Sequence, residues 1–184
     1  MTATGAPSPW VERHLSAVPA RGQVLDVACG SGRHLRLCLE AGLRCLGVDR
    51  DLSGARSLAP HPRLELVESD LETGSAPPFA GERFEGVIVT NYLWRPLLPV
   101  IVAAVADDGV LIYETFAVGN EQLGRPRNPD FLLRPNELLE AVIPRLTVVA
   151  FEETRLGEPD RVVQRIVALG PHHAWHDPHL VRPR

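Results

Sequence analysis

"VLDVACGSGRHLRLCLEAGLRCLGVDRD", residues 24–51, decides the fold. Val24, Leu25, Val27 and Ala28 form an apolar run with one acid, Asp26, inside it. The run reads as a buried strand ending near Ala28, where Gly30 and Gly32 let the backbone turn without a Cβ. "SGRHLRLCLEAG" follows at once as a helix ending at Gly42, and "LRCLGVD" is a second strand closing on Asp49. A helix that starts directly from a glycine turn aims its free amides and positive dipole end at whatever occupies the turn. Asp49 is placed to accept hydrogen bonds from two ribose hydroxyls. The stretch therefore reads as a cradle for a nucleoside-bearing ligand.

The same alternation extends in both directions. "PWVERHLSAV" has helical spacing at Trp10, Val11, His14, Leu15 and Val18. "LSGARSLA" is expected as a short helix stopped by Pro60, "RLELVESD" as a third strand, and residues 71–83 as loop. "FEGVIVTN" is a near-continuous apolar strand, as expected when both faces of a sheet are covered. "RPLLPVIVAAVADDG", residues 95–109, is expected as a helix and "VLIYETF" as a fifth strand. "LRPNELLEAVIP" follows as a helix capped by Asn136. "RLTVVAFEET" and "RVVQRIVALG" form a closing hairpin. The predicted fold is α/β: a doubly wound, mostly parallel seven-stranded sheet with a C-terminal antiparallel hairpin. Residues 1–170 are expected to make one domain, with "PHHAWHDPHLVRPR", residues 171–184, as a flexible tail.

The chain has 184 residues, is 45% hydrophobic and carries a formal net charge of −4, which suits one soluble globular domain and argues against a general nucleic-acid binder. No run approaches the roughly 18 apolar residues needed to span a membrane, and the N-terminus lacks the basic and apolar regions of a signal peptide. A cytoplasmic location is expected. All 19 basic residues are arginine, so lysine chemistry is excluded. Cys29, Cys38 and Cys45 have no metal-like spacing and are expected as reduced thiols.

A ribose acid such as Asp49 serves dinucleotides too, and so does not by itself identify the ligand. The dinucleotide fingerprint, however, needs a third glycine at position 35, where this chain has Leu35. Asp26 adds a further constraint. A carboxylate inside an apolar strand is costly without a partner, which the loop amides or a ligand with a cationic amino-acid end would supply.

"LDVACGSGRHL", "LGVDRD" and "ESDLE", in this order, closely resemble class I S-adenosylmethionine-dependent methyltransferases, and the resemblance runs on to "TNYLW" after the fourth strand. It implies S-adenosylmethionine as cofactor and S-adenosylhomocysteine as product. Gly30 and Gly32 would flank the methionine part and Asp26 would help position it, with Ala28, Cys29, Arg33 and His34 completing the turn. Asp49, with Arg50 beside it, would hold the ribose. Asp70 would meet the adenine amino group and Leu71 would offer its amide. Asn91 and Tyr92 would line the site near the transferred methyl.

Methyl transfer requires little from side chains beyond alignment, exclusion of water and removal of a proton where there is one. The acceptor is therefore faintly written. The Asn/Asp-Pro-Pro-aromatic signature of base-amine methyltransferases is absent from "TNYLWRPLLP", and no recognition domain is appended. Residues 115–139 are the longest irregular stretch and hold Arg125, Arg127 and Arg134; they read either as a lid whose arginines hold an anionic acceptor or as a solvated loop whose arginines pair with neighbouring acids. That stretch is similar to the corresponding segment of the small tellurite-resistance-type bacterial methyltransferases. The similarity implies a small-molecule acceptor, anionic or chalcogen-containing in the finer expectation. Phe116 and Trp94 are candidate walls of the acceptor pocket with Tyr92. Glu114 is a candidate base or a partner for one of those arginines. His34 is more readily a helix-start residue than a catalyst. His172, His173, His176 and His179 beside Asp177 resemble a metal site only loosely, and no metal is expected. The remaining readings are an RNA or protein acceptor reached through a partner, and a non-catalytic cofactor-binding subunit.

Overall fold

The computed structural model describes residues 5–176. Seven strands form one sheet in the order β3-β2-β1-β4-β5-β7-β6. They are β1 (Gln23–Val27), β2 (Arg44–Asp49), β3 (Leu64–Glu68), β4 (Phe84–Thr90), β5 (Val105–Phe116), β6 (Thr147–Leu156) and β7 (Arg161–Leu169). β1 pairs in parallel with β2 and β4, and β4 with β5; only β7 runs against its neighbours, β5 and β6. Chain order reverses between β1 and β4, which opens a crevice at the carboxyl ends of the strands.

Each face of the sheet is covered by helices, so the central strands are apolar on both sides. Val24, Ile88 and Ile112 pack against α1 (Pro9–His14) and α2 (Arg33–Glu40) through Trp10, Val11, Leu35 and Leu39. Leu25, Val87, Leu111 and Tyr113 pack on the other face against α3 (Leu98–Ala103) and α4 (Glu137–Val142). Successive strand residues alternate sides, so Asp26 shares the face of Val24 with α1 and α2.

Four local expectations are corrected. The helix expected at 52–59 is only a 3-10 turn, Arg56–Leu58, leading into Pro60. The helix expected over 95–109 begins as a 3-10 turn at Arg95–Leu97, becomes α3, and ends at Ala103. Val105 already pairs with Phe84, and residues 106–109 bulge out before Val110 pairs with Gly86. The helical spacing of "VIVAAVA" hid this strand start, at which Val105 is fully buried. Asn136 stands at the start of α4 with φ +61° and makes no side-chain cap. The segment beyond 170 is fixed as far as His176: the His172 amide donates to the Asp107 carbonyl at 2.7 Å, and buried His173 meets the Ala17 carbonyl through Nε2 at 2.8 Å. Asp177 and His179 lie outside the described residues.

Candidate functional site

The turn after β1 holds three residues in the left-handed region: Ala28 at φ +55°, Gly30 at +52° and Gly32 at +74°. The two glycines serve different ends. A Cβ on Gly32 would lie 2.8 Å from Leu58 Cδ1 and 3.2 Å from Ala55 Cβ, so it would crowd both side chains. A Cβ on Gly30 would meet nothing within 4 Å and would project into open space. The turn is held from β2: Asp49 Oδ2 accepts from the Gly30 amide at 2.7 Å, and its Oδ1 accepts from the Asp51 amide at 3.0 Å.

Above this turn lies a cavity of about 460 Å³. Ala28 follows β1 into its wall, Asp49 and Arg50 come from the end of β2, and Asp70 and Leu71 come from the segment after β3. Asn91 and Tyr92 follow β4, and Phe116 ends β5. Residues expected from five separate segments are thus brought together. Ser69, Glu72, Pro126 and Phe131 also line the cavity and were not foreseen. The first two flank Asp70–Leu71, a signal that was available; the others come from a loop without a motif.

The loop after β4 is tightly set. The Asn91 amide donates to the Glu114 carbonyl at 2.9 Å and holds Asn91 at φ +55°. The Tyr113 hydroxyl donates to the Tyr92 carbonyl at 2.9 Å. The Tyr92 hydroxyl is buried and has no partner among the described residues. Burial, then Glu72, Asp70 and Asp49, push that phenol well up, so it stays a proton donor.

Asp26 lies beneath the turn, 1% exposed, and its Oδ2 has no hydrogen-bond partner among the described residues. Burial raises its carboxyl to about 8, opposed by the Arg33 charge and reinforced by Asp49. Cys29 is buried in the core, where burial pushes its thiol up, so it is no nucleophile. His34 turns away from the cavity. Its Nε2 accepts from the Ser8 amide at 3.0 Å and its Nδ1 meets Thr90 Oγ1 at 3.4 Å. Burial, helped by Arg33, lowers it to about 3, so it is neutral and fastens the N-terminal segment.

A second cleft, of about 760 Å³, adjoins the first and shares Asn91 and Phe116 with it. Ser8, Arg33, Glu114, Asn120, Arg125 and Arg161 line it. Buried Glu114 accepts from Ser8 Oγ at 3.0 Å and pairs with Arg165 at 3.4 Å and Arg161 at 3.7 Å. Its partners therefore come from β7 and not from the irregular loop, as had been expected. With its lone pairs so engaged, it is an anchor in this state and not a free base. Trp94 packs against the core and lines neither space, and neither does Arg127. Among the described residues, no cluster of three or more metal-binding side chains occurs.

The loop between β5 and α4 is fastened by Arg95 at the start of the α3 segment. Arg95 donates to the Asp130 carbonyl at 2.7 Å, to the Leu132 carbonyl at 2.8 Å, and to both oxygens of Glu137 at 2.7 and 3.0 Å. Arg134 also turns to Glu137, at 3.2 Å. Burial pushes the Glu137 carboxyl up, but hydrogen bonds from Arg95 and from the Arg134 amide and guanidinium outweigh it and bring it to about 2. A depressed acid stabilises the fold above its unfolded value near 4.5, and that contribution fades as pH falls towards 2. Glu137→Gln should therefore cost about 3 kcal/mol at pH 7. In urea titrations the gap from wild type should narrow steadily as pH drops from 4.5 to about 2. An equal gap at both ends would show that this carboxylate does not hold the loop.

Residues 25–96 match the model of the methyltransferase domain family. A comparison with curated protein sequences finds no match. Several solved structures share the fold. TehB from Haemophilus influenzae superposes with a TM-score of 0.68 at 18% identity, over 91% of this chain and 63% of that one. The 1,6-didemethyltoxoflavin-N1-methyltransferase of Burkholderia thailandensis, crystallised with 1,6-didemethyltoxoflavin and S-adenosylhomocysteine, gives 0.67 at 19% identity over 89% and 77%. A complex of the Haloferax volcanii Trm112 methyltransferase activator with a methyltransferase gives 0.67 at 18% identity, over 88% and 89%.

Proposed function

We propose that this chain is a class I S-adenosylmethionine-dependent methyltransferase, a reading supported by the family match over residues 25–96 and by the shared fold, and that a single domain spanning residues 1–170 carries the methyl to a small-molecule acceptor. The cofactor belongs in the smaller cavity and the acceptor in the adjoining cleft. The observation that carries this reading is the pair of spaces meeting at Asn91 and Phe116.

The turn after β1, which enters the lining of the smaller cavity through Ala28, fits the cofactor on two counts. Gly30 leaves open the space a side chain would fill, and Asp26 keeps a buried carboxylate oxygen without a partner. When bound, S-adenosylmethionine supplies an electrophilic methyl on a sulfonium and leaves as S-adenosylhomocysteine. Asp26 would accept from its ammonium group, and Gly30 and Gly32 would keep the backbone close. Asp49 would accept from the ribose hydroxyls while still holding the Gly30 amide. Asp70 and the Leu71 amide would meet the adenine, with Arg50 beside them. Tyr92 lines only the smaller cavity, together with Asp49, Asp70 and Glu72, and so belongs to cofactor binding. Asn91 and Phe116, at the seam, are the residues that would orient the attacking atom and exclude water. Alignment of this kind supplies roughly 7–11 kcal/mol of a barrier. Glu114 holds the N-terminal wall of the cleft through Ser8 and stiffens β5 below it.

A chalcogen acceptor, as implied by the resemblance to the tellurite-resistance type, would use the same cleft. A macromolecular acceptor reached through a partner is the second reading, favoured by the fold shared with the methyltransferase held by Trm112. No helix of the described residues is long and apolar enough to cross a membrane.

Asp49→Ala tests the assignment. It should weaken S-adenosylhomocysteine binding by about a hundredfold, through loss of charge-assisted bonds and a looser turn. Thermal unfolding should fall by only a few degrees. Unchanged affinity in calorimetry would exclude the ribose role.

A further inference from the structure

We propose that the second cleft grips its methyl acceptor by one anionic group, held between Arg33 and Arg125. The proposal rests on the reading that the neighbouring cavity holds S-adenosylmethionine. Arg33, the first residue of α2, stands on one wall, and Arg125, from the β5–α4 segment, also lines the cleft. Among the described residues, neither has a carboxylate oxygen within 4.0 Å. The only polar side-chain contact of Arg33 among them is a long one, from Nη2 to Thr90 Oγ1 at 3.4 Å, which leaves most of its donor fork free.

Of the other charges in the cleft, Arg161, Glu114 and Asp160 face partners within the protein. Arg161 faces Glu114 at 3.7 Å, and its buried Nε has no hydrogen-bond partner among the described residues. Glu114 is also taken by Ser8 and Arg165. Both oxygens of Asp160 receive Arg155. Arg33 and Arg125 are the two arginines of the cleft without a carboxylate partner among the described residues, and the guanidinium fork suits a carboxylate or similar oxyanion. The remaining walls are partly apolar, with Pro9, Phe116 and Leu123, and suit a flat organic body. Glu158 and Asp160 line the same cleft, so a chain of phosphates would meet repulsion there. The arrangement therefore selects a compact monoanion over a polyanionic strand. Asn91 and Phe116, at the seam with the smaller cavity, line the same cleft as the two arginines.

The test is a calorimetric titration of the full chain saturated with S-adenosylhomocysteine, using benzoate, benzamide and sulfate as probes. Benzoate should bind, and benzamide, its neutral counterpart, should bind at least about tenfold more weakly. Arg33→Gln and Arg125→Gln should each weaken benzoate by about tenfold, and Arg125→Gln should leave S-adenosylhomocysteine affinity within twofold. Arg127→Gln, which lies outside the cleft lining, should change neither. Equal binding of benzoate and benzamide, no benzoate binding, or benzoate affinity indifferent to both substitutions would overturn the proposal. Sulfate binding as tightly as benzoate would overturn the organic body and assign the site to a bare oxyanion. If S-adenosylhomocysteine itself does not bind, the cofactor reading fails separately, and benzoate titrated into the free protein still decides the arginine site.

Discussion

Gly30→Ala should lower affinity for S-adenosylhomocysteine by about a hundredfold, whereas Gly32→Ala should damage the fold instead. Both positions have positive φ, +52° and +74°, so each alanine incurs a similar backbone penalty of about 1–2 kcal/mol. The difference lies in what the new methyl meets. At Gly32 it would press on Leu58 at 2.8 Å and Ala55 at 3.2 Å, adding about 1–3 kcal/mol of overpacking. At Gly30 it would meet nothing within 4 Å and would project into open space. Only a ligand in that space would feel it. Chemical unfolding and calorimetry on both variants read the contrast directly. If the two glycines behave alike in both measurements, the open space over Gly30 is not where the cofactor lies.

Asp26→Asn should raise the stability of the ligand-free protein at neutral pH while weakening cofactor binding by about ten- to a hundredfold. The carboxyl of Asp26 is raised from 3.8 to about 8 in the fold. For an acid raised in this way, the folded chain keeps a proton that the unfolded chain releases. Stability therefore falls as pH rises from about 4 to about 8, by a few kcal/mol in all. Asparagine removes that dependence, so the variant should melt higher at pH 7.5 and close to wild type at pH 4. A cofactor ammonium reverses the balance in the wild type by favouring the carboxylate. Binding of S-adenosylhomocysteine at pH 7 should then release a proton, seen as a heat that changes with buffer ionisation. Asp26→Asn should lose that release together with the affinity. Binding that is buffer-independent in wild type would remove Asp26 from the methionine end.

The strands and their order of use were readable because each central strand is a short apolar run bounded by glycine, proline or an acid, and the cofactor turn because its glycines and acids sit at fixed offsets. Asp49 could be placed at the turn from its position after the second strand alone; its bond to the Gly30 amide required the third dimension. What could not be read depends on contacts between distant segments. His34 looks like a helix-start residue until Ser8, 26 residues earlier, is seen donating to it. Glu114 looked available to loop arginines, yet β7 lies beside β5 and supplies Arg165 directly across from it. The second cleft was invisible for the same reason. Its walls come from the N-terminal segment, α2, the β5–α4 segment and the β6–β7 turn, with no spacing in common. The residues flagged as a loop clamp therefore separated, with Arg125 in the cleft, Arg127 outside its lining, and Arg134 on Glu137.

One measurement bears on all of this: calorimetric titration of the wild-type chain with S-adenosylhomocysteine, with NAD as the control ligand. Micromolar binding of S-adenosylhomocysteine at a single site, with no heat from NAD, is the expected result. Absence of S-adenosylhomocysteine binding, or equal binding of both ligands, would contradict the assignment of the cavity above the glycine turn.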